Sequence, residues 1–210
     1  MLIIFDLDGT LIDPAYGVIK SIDYTLEAFK LGFLDEEIKK SFIGPPICDS
    51  LKHNFNLTDK KAKEVTDFFR SIYKEKFLYE AKVYEDIPVL LQILKQSNNK
   101  LAVATYKRQD YAELILRHFN LDAYFDFIKG SDFDAKLTKT DIIKACLKEF
   151  DANDAVMIGD TLHDKKGARE LNIGFIGVSW GYGFRKDEAD ANDVYEIIKK
   201  INIMKNNRID

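Results

Sequence analysis

Cysteine is scarce in this chain. Cys48 and Cys146 stand far apart, outside any C-x-x-C or Cys/His grouping, which argues against a disulfide framework or a zinc site and suits a reducing compartment. No apolar run approaches the length of a membrane span. The first apolar run begins almost at Met1, so no signal peptide is expected and the expected location is the cytosol. Long blocks of one charge are missing too. Thirty-one basic and 35 acidic residues mix along the chain to a net charge of −4, which gives no support to a nucleic-acid surface and makes most lysines solvated faces. With these classes set aside, 210 residues are enough to bury one full core and a smaller accessory domain.

The most informative stretch is the first ten residues. Leu2-Ile3-Ile4-Phe5 is a short apolar run that breaks into Asp6-Leu7-Asp8-Gly9-Thr10. Such a run reads as a buried parallel strand that delivers its acids to the carboxyl edge of a sheet, where open α/β folds bind ligands. Side chains alternate along an extended strand, so Asp6 and Asp8 are expected to project the same way about Leu7, with a hard cation, Mg²⁺, between them. Gly9 allows a sharp turn, and Thr10 adds a hydroxyl and an N–H for an anion.

Helical spacing then replaces the strand pattern. Ile19, Ile22, Leu26 and Phe29 recur on one stripe with Gly32 as the expected stop, 35–42 reads as a short helix, and Ile43-Gly44-Pro45-Pro46 is a rigid break. A longer helix from Thr58 carries Val65, Phe68, Phe69, Ile72 and Tyr73. Residues 14–81 are therefore read as an inserted helical cap, expected to act as a lid with joints near Asp13-Pro14 and Ala81-Tyr84. Residues 1–13 and 82–210 form the α/β core. Tyr16, Pro46, Cys48 and His53 are candidate substrate contacts in the cap. Phe68 and Phe69 are expected to be exposed and available to a dimer, so monomer and homodimer both remain open.

Four further apolar runs follow, at 101–104, 125–129, 155–158 and 174–178, alternating with helical stretches in the manner of a doubly wound sheet. The second ends in Thr105-Tyr106-Lys107, just before a helix whose N–H groups suit an anion; Thr105 is a candidate phosphate donor and Tyr106 a candidate substrate contact. Thr138-Lys139-Thr140-Asp141 starts a helix, and Lys139 at such a place can reach a phosphate, with Lys136 and Lys129 as competitors. The fourth run is followed by Gly159-Asp160 and then Asp164, Gly167 and Ala168. A second acidic pair completes an oxygen-rich metal site that one pair alone cannot make. His163, between them, reads as surface. Gly167 is expected to let its helix pack onto the sheet. The glycines of Trp180-Gly181-Tyr182-Gly183 would let backbone approach the site, with a plain turn as the preferred reading, and the chain from Asn202 onward reads as a fraying polar tail.

In their order and placement at strand ends, these segments resemble the four motifs of the haloacid dehalogenase-like hydrolase superfamily, in its helical-cap branch. Asp6, Asp8, Gly9 and Thr10 match the first motif, Thr105 the second, Lys139 the third, and Gly159-Asp160 with Asp164 the fourth. The stretches 43–46 and 177–183 look like phosphoglycolate phosphatase-like members. The resemblance implies a Mg²⁺-dependent phosphatase acting on a small phosphorylated metabolite. Asp6 is then the nucleophile that forms an aspartyl-phosphate. Asp8, among acidic neighbours, protonates the leaving alcohol and later activates water, while Thr105 and Lys139 hold phosphoryl oxygens. Mg²⁺ is implied to bind Asp6, the backbone carbonyl of Asp8, Asp160 and Asp164. The alternatives are a phosphomutase of the same superfamily and a phosphate-binding module without turnover.

Overall fold

The computed structural model describes residues 1–133 and 136–206. Its first strand, β1 (Leu2–Phe5), is buried at all four positions, as a run with no polar face requires. The chain divides into two compact units, Met1–Ile12 with Val83–Asp210 and, separately, Asp13–Lys82. The short strands β2 (Ile12–Asp13) and β3 (Lys82–Val83), which pair with one another, lie at the division.

The unit Asp13–Lys82 holds α1 (Ala15–Phe29), α2 (Glu36–Lys40), α3 (Ile47–Phe55) and α4 (Asp59–Ile72). α1 and α4 each bury one stripe, Val18, Ile22 and Leu26 on the first and Ala62, Val65 and Phe69 on the second, the 3.6-residue spacing visible in the sequence. The left-handed position that ends α1 belongs to Lys30 (φ 53°), two residues before the expected Gly32. The aromatic pair expected on the surface is packed inside this unit. Phe69 is buried and stacks on Tyr73 at 6.0 Å, and half-buried Phe68 meets Phe29 edge-on at 5.4 Å. They are not the exposed dimer contacts that their spacing left open.

The other unit is built on a five-stranded parallel sheet. After α5 (Ile87–Gln96) come β4 (Lys100–Arg108), α6 (Gln109–His118), β5 (Phe127–Ser131), α7 (Lys139–Glu149), β6 (Ala155–Gly159), α8 (Leu162–Glu170), β7 (Gly174–Gly177) and α9 (Val194–Asn206). The spatial order is β5-β4-β1-β6-β7, with Phe5 level with Val103 on one side and Ile158 on the other. The winding therefore reverses at β1, and the crevice beyond its carboxyl end is the switch point where open α/β sheets bind ligands.

One face of the sheet buries Leu2, Ile4, Ala102, Ala104, Ala155 and Met157 against Ile142, Ile143 and Cys146 of α7 and Ala168 of α8. Cys146 is part of that core: its thiol points at the Val103 carbonyl, 3.6 Å away, and burial pushes its pKa up to about 12, leaving it unreactive. Gly167 serves a different contact from the expected one. A Cβ there would meet Ile143 of α7, so its smallness brings α8 against α7 rather than against the sheet. Two lengths also differ from the sequence reading. β4 runs on through Tyr106, Lys107 and Arg108, and α9 continues through Asn206, because Ile201 is still buried and the last turns propagate from it. No helix among the described residues is long and apolar enough to cross a membrane.

Candidate active site

At the carboxyl end of β1 the backbone N–H of Asp6 still bonds to Ile158 O (2.9 Å), which fixes Asp6 beside the end of β6. There it meets Asp160, which follows β6 directly, and Asp164 in the first turn of α8. One carboxylate oxygen from each of the three lies within 4.8 Å of the others, and all three residues are buried. Each is held by a local device. Thr161 donates to Asp164 Oδ2 from its N–H (3.0 Å) and its hydroxyl (2.6 Å), a capping interaction at the start of α8 that leaves Oδ1 for the centre. Asp160 accepts the Tyr182 N–H at Oδ2 (2.8 Å) and the Thr10 hydroxyl at Oδ1 (3.3 Å).

Lys139 enters this centre from the start of α7, where Thr138 and Asp141 form a capping box. Its ammonium lies 2.8 Å from both Asp6 Oδ1 and Asp164 Oδ1, with the side chain only 3% exposed. Among the competitors, Lys136 is exposed and its backbone N–H caps onto Asp132 (2.8 Å), and Lys129 is half-buried on β5. Tyr106, taken from the sequence as a substrate contact, touches the lysine: its hydroxyl accepts the Lys139 N–H (3.0 Å) and its ring lies 5.5 Å from the ammonium.

The charges do not balance. Three carboxylates face one ammonium, so full ionisation leaves two negative charges in a buried site, which is costly. Burial, with Asp6 and Asp164 acting in the same direction and outweighing the Tyr182 N–H and Lys139, raises the pKa of Asp160 to about 8. Asp6 is likewise raised by burial, with Lys139 opposing and Asp164 adding to it. The ammonium does not complete the bonding either, for Oδ1 of Asp6 and Oδ1 of Asp164 are buried without a well-aligned hydrogen bond. Oxygen donors, a twofold negative excess and unfilled acceptors together fit a small hard divalent cation such as Mg²⁺.

The carboxylates of Asp6 and Asp8, expected to face one ion together, go to different partners. Asp8 is not in the acidic group, and its Oδ2 lies 2.8 Å from the Lys107 ammonium. A lysine thus stands where acidic neighbours were expected. Thr105 is buried, and its Oγ1 accepts the Lys107 N–H (3.1 Å). Gly9 takes φ +80°, and a Cβ there would strike the Asp160 carboxylate, so both its conformation and its size are needed. Pro46 belongs to the helical unit, where it precedes α3. His163 is exposed and lies edge-on to Tyr106 at 5.6 Å.

Sequence reasoning passed over one contributor and ranked another second. One is Lys107, whose two-residue spacing from Thr105 was the available signal. The other is the 180–183 loop, which is more than a plain turn. Trp180 donates its indole N–H to Thr10 O (3.1 Å), Tyr182 caps Asp160, and a Cβ on Gly181 would meet both Asp160 and Gly9 O. The paired glycines in Trp-Gly-Tyr-Gly were the clue to that close approach.

A parallel sheet with a buried acidic centre and a lysine at its switch point defines the class of Rossmann-like α/β proteins. A family model described as haloacid dehalogenase-like hydrolase matches residues 3–178, and the chain belongs to that family. It is similar to a 5'-nucleotidase of Pseudomonas aeruginosa, 35% identical over 90% of this chain and 87% of that protein. A phosphoglycolate phosphatase of Aquifex aeolicus is 32% identical over 86% and 85% of the two chains. Among solved structures, a predicted phosphatase from Clostridium acetobutylicum superposes with a TM-score of 0.89 at 39% identity, over 95% of this chain and 97% of that one.

Proposed function

We propose that the protein hydrolyses a small phosphomonoester with the help of Mg²⁺, through a phosphorylated Asp6. The observation that carries this reading is the acidic centre with its single lysine. Asp6, Asp160 and Asp164 offer oxygens for a divalent cation, and Lys139 sits on the Asp6 oxygen nearest to it, where it can also meet a phosphoryl oxygen. Asp6, Asp160 and Asp164 would hold Mg²⁺, together with the backbone carbonyl of Asp8; when bound, the ion offsets the charge of the carboxylates and of the incoming phosphate.

The chain's own residues account for the rest. A carboxylate oxygen of Asp6 attacks phosphorus, the bond from phosphorus to the ester oxygen breaks, and the proton of Asp8 passes to that oxygen to release the alcohol. Asp8, now a carboxylate, takes a proton from water as the water oxygen bonds to phosphorus and the bond from phosphorus to the Asp6 oxygen breaks. Inorganic phosphate leaves, and both aspartates return to their starting state. Lys139 and Thr105 hold phosphoryl oxygens through both steps. The names of two of the similar proteins, a 5'-nucleotidase and a phosphoglycolate phosphatase, make a nucleoside 5'-monophosphate and phosphoglycolate the first substrates to assay.

The test is phosphate release from p-nitrophenyl phosphate and from a panel of phosphorylated metabolites, with and without Mg²⁺. Turnover is expected only with the cation. Asp6→Asn is expected to lower it by about a thousandfold or more while the fold persists, because the nucleophile is removed. A folded wild type that binds phosphate without releasing it from any ester would instead make the protein a binding module. A sugar phosphate isomerised faster than it is hydrolysed would make it a mutase.

A further inference from the structure

Lys107 takes part in none of the reaction steps given above, and its placement is specific. From Ala104 to Arg108 β4 advances four residues while its neighbour β5 advances only two, from Lys129 to Ser131, so the strand carries an irregularity centred on 105–107. Within it Thr105 Oγ1 caps the Lys107 N–H, and the lysine side chain turns inward until it is only 6% exposed. A lysine buried to this degree needs a partner, and its ammonium lies 2.8 Å from Asp8 Oδ2. The other oxygen, Asp8 Oδ1, is buried and accepts no hydrogen bond. The two acids of the first motif are thus divided between two buried lysines: Asp6 takes Lys139 and Asp8 takes Lys107.

We infer that Lys107 is a positioning residue for proton transfer: by binding Oδ2 it fixes the rotation of the Asp8 carboxylate and leaves Oδ1 as the oxygen that gives and takes the proton. A carboxylic acid transfers a proton efficiently only from an oxygen held within hydrogen-bond reach of the acceptor, and an ammonium on one oxygen directs the proton to the other. The inference rests on the phosphatase reading above, because it concerns the acid and base step assigned there to Asp8.

The experiment measures kcat/KM with Mg²⁺ for a series of phosphomonoesters whose leaving groups run from p-nitrophenol to simple alcohols. This quantity reports the reaction up to departure of the alcohol. Good leaving groups depart without a proton and poor ones need it. Lys107→Met is expected to cost the alkyl esters roughly ten- to a hundredfold while p-nitrophenyl phosphate loses less than about threefold, turning a shallow dependence on the leaving group into a steep one. Lys107→Arg keeps a cation beside Oδ2 and is expected to restore most of the shallow dependence, and thermal melting checks that both variants fold. An equal loss for all leaving groups, no loss at all, or an arginine variant as steep as the methionine variant overturns the inference. If Lys107→Met does not fold, the arginine variant decides alone: a wild-type slope supports the inference and a steep one ends it. A wild type without turnover on any ester overturns the phosphatase reading itself, and this inference with it.

Discussion

Two groups of charged side chains in the same α/β unit are built to opposite balances. At the mouth of the sheet, Asp6, Asp160 and Asp164 share one ammonium, that of Lys139. Near its opposite edge, Asp126 alone receives two, from Lys95 (2.8 Å) and Lys100 (3.1 Å), and also the Leu101 N–H (3.0 Å). Burial pushes the Asp126 carboxyl upward, but those three donors outweigh it and hold the pKa at about 2. At the mouth of the sheet burial and like charge act together, and Asp160 rises to about 8. The difference separates two uses of one chemistry. A carboxylate with surplus donors fastens a strand to a helix, whereas carboxylates with surplus charge hold an unmet demand for a cation.

The comparison is most severely tested at Asp160. Asp160→Asn is expected to cut turnover by about a hundredfold or more, because a cation ligand is lost, and yet to raise the melting temperature of the metal-free protein at alkaline pH, because a buried charge is lost with it. A variant that loses stability in EDTA at pH 8 would show that the centre is satisfied without a cation.

The two groups also predict opposite pH limits. The folded-state pKa of Asp160, about 8, lies above the ordinary 3.8, so the folded state holds the proton more tightly, and without metal the centre costs stability as pH rises from 3.8 through about 8. For Asp126 the folded value of about 2 lies below 3.8, so its stabilisation is complete above 3.8 and is lost as pH falls toward about 2. Melting curves in EDTA are expected to show both flanks. Saturating Mg²⁺ is expected to lift the alkaline flank and leave the acid one in place, and an alkaline flank insensitive to Mg²⁺ would contradict the ion-binding assignment. The smallest effect is expected from Asp126→Asn, a loss of about 1 kcal/mol in stability with turnover unchanged, read by denaturant unfolding and by the same phosphatase assay.

Much of this organisation was legible in the residues. β1 and β6 are continuous apolar runs that end in acids, and a buried strand shows itself in that way because neither of its faces can be polar. Thr138 and Asp141 announced the start of α7 and so placed Lys139 at its first turn. Other features were not legible. Periodicity marks which face of α4 is apolar but not what covers it, so Phe68 and Phe69 read as surface until Phe29 and Tyr73 were seen against them. The irregularity in β4 leaves no local pattern, and the paired glycines of 180–183 show that a close approach is possible but not that Trp180 meets Thr10, 170 residues earlier in the chain.

The amino-acid sequence alone determined that there are five strands, to within a few residues, and the identity of the acids at the ends of β1 and β6, because burial and turning are decided within a few residues of each position. Which acid meets which lysine was decided only in three dimensions. Lys139 reaches Asp6 and Lys107 reaches Asp8 through the register of neighbouring strands and the start of a distant helix, and the energy of an ion pair depends on that separation in space rather than along the chain.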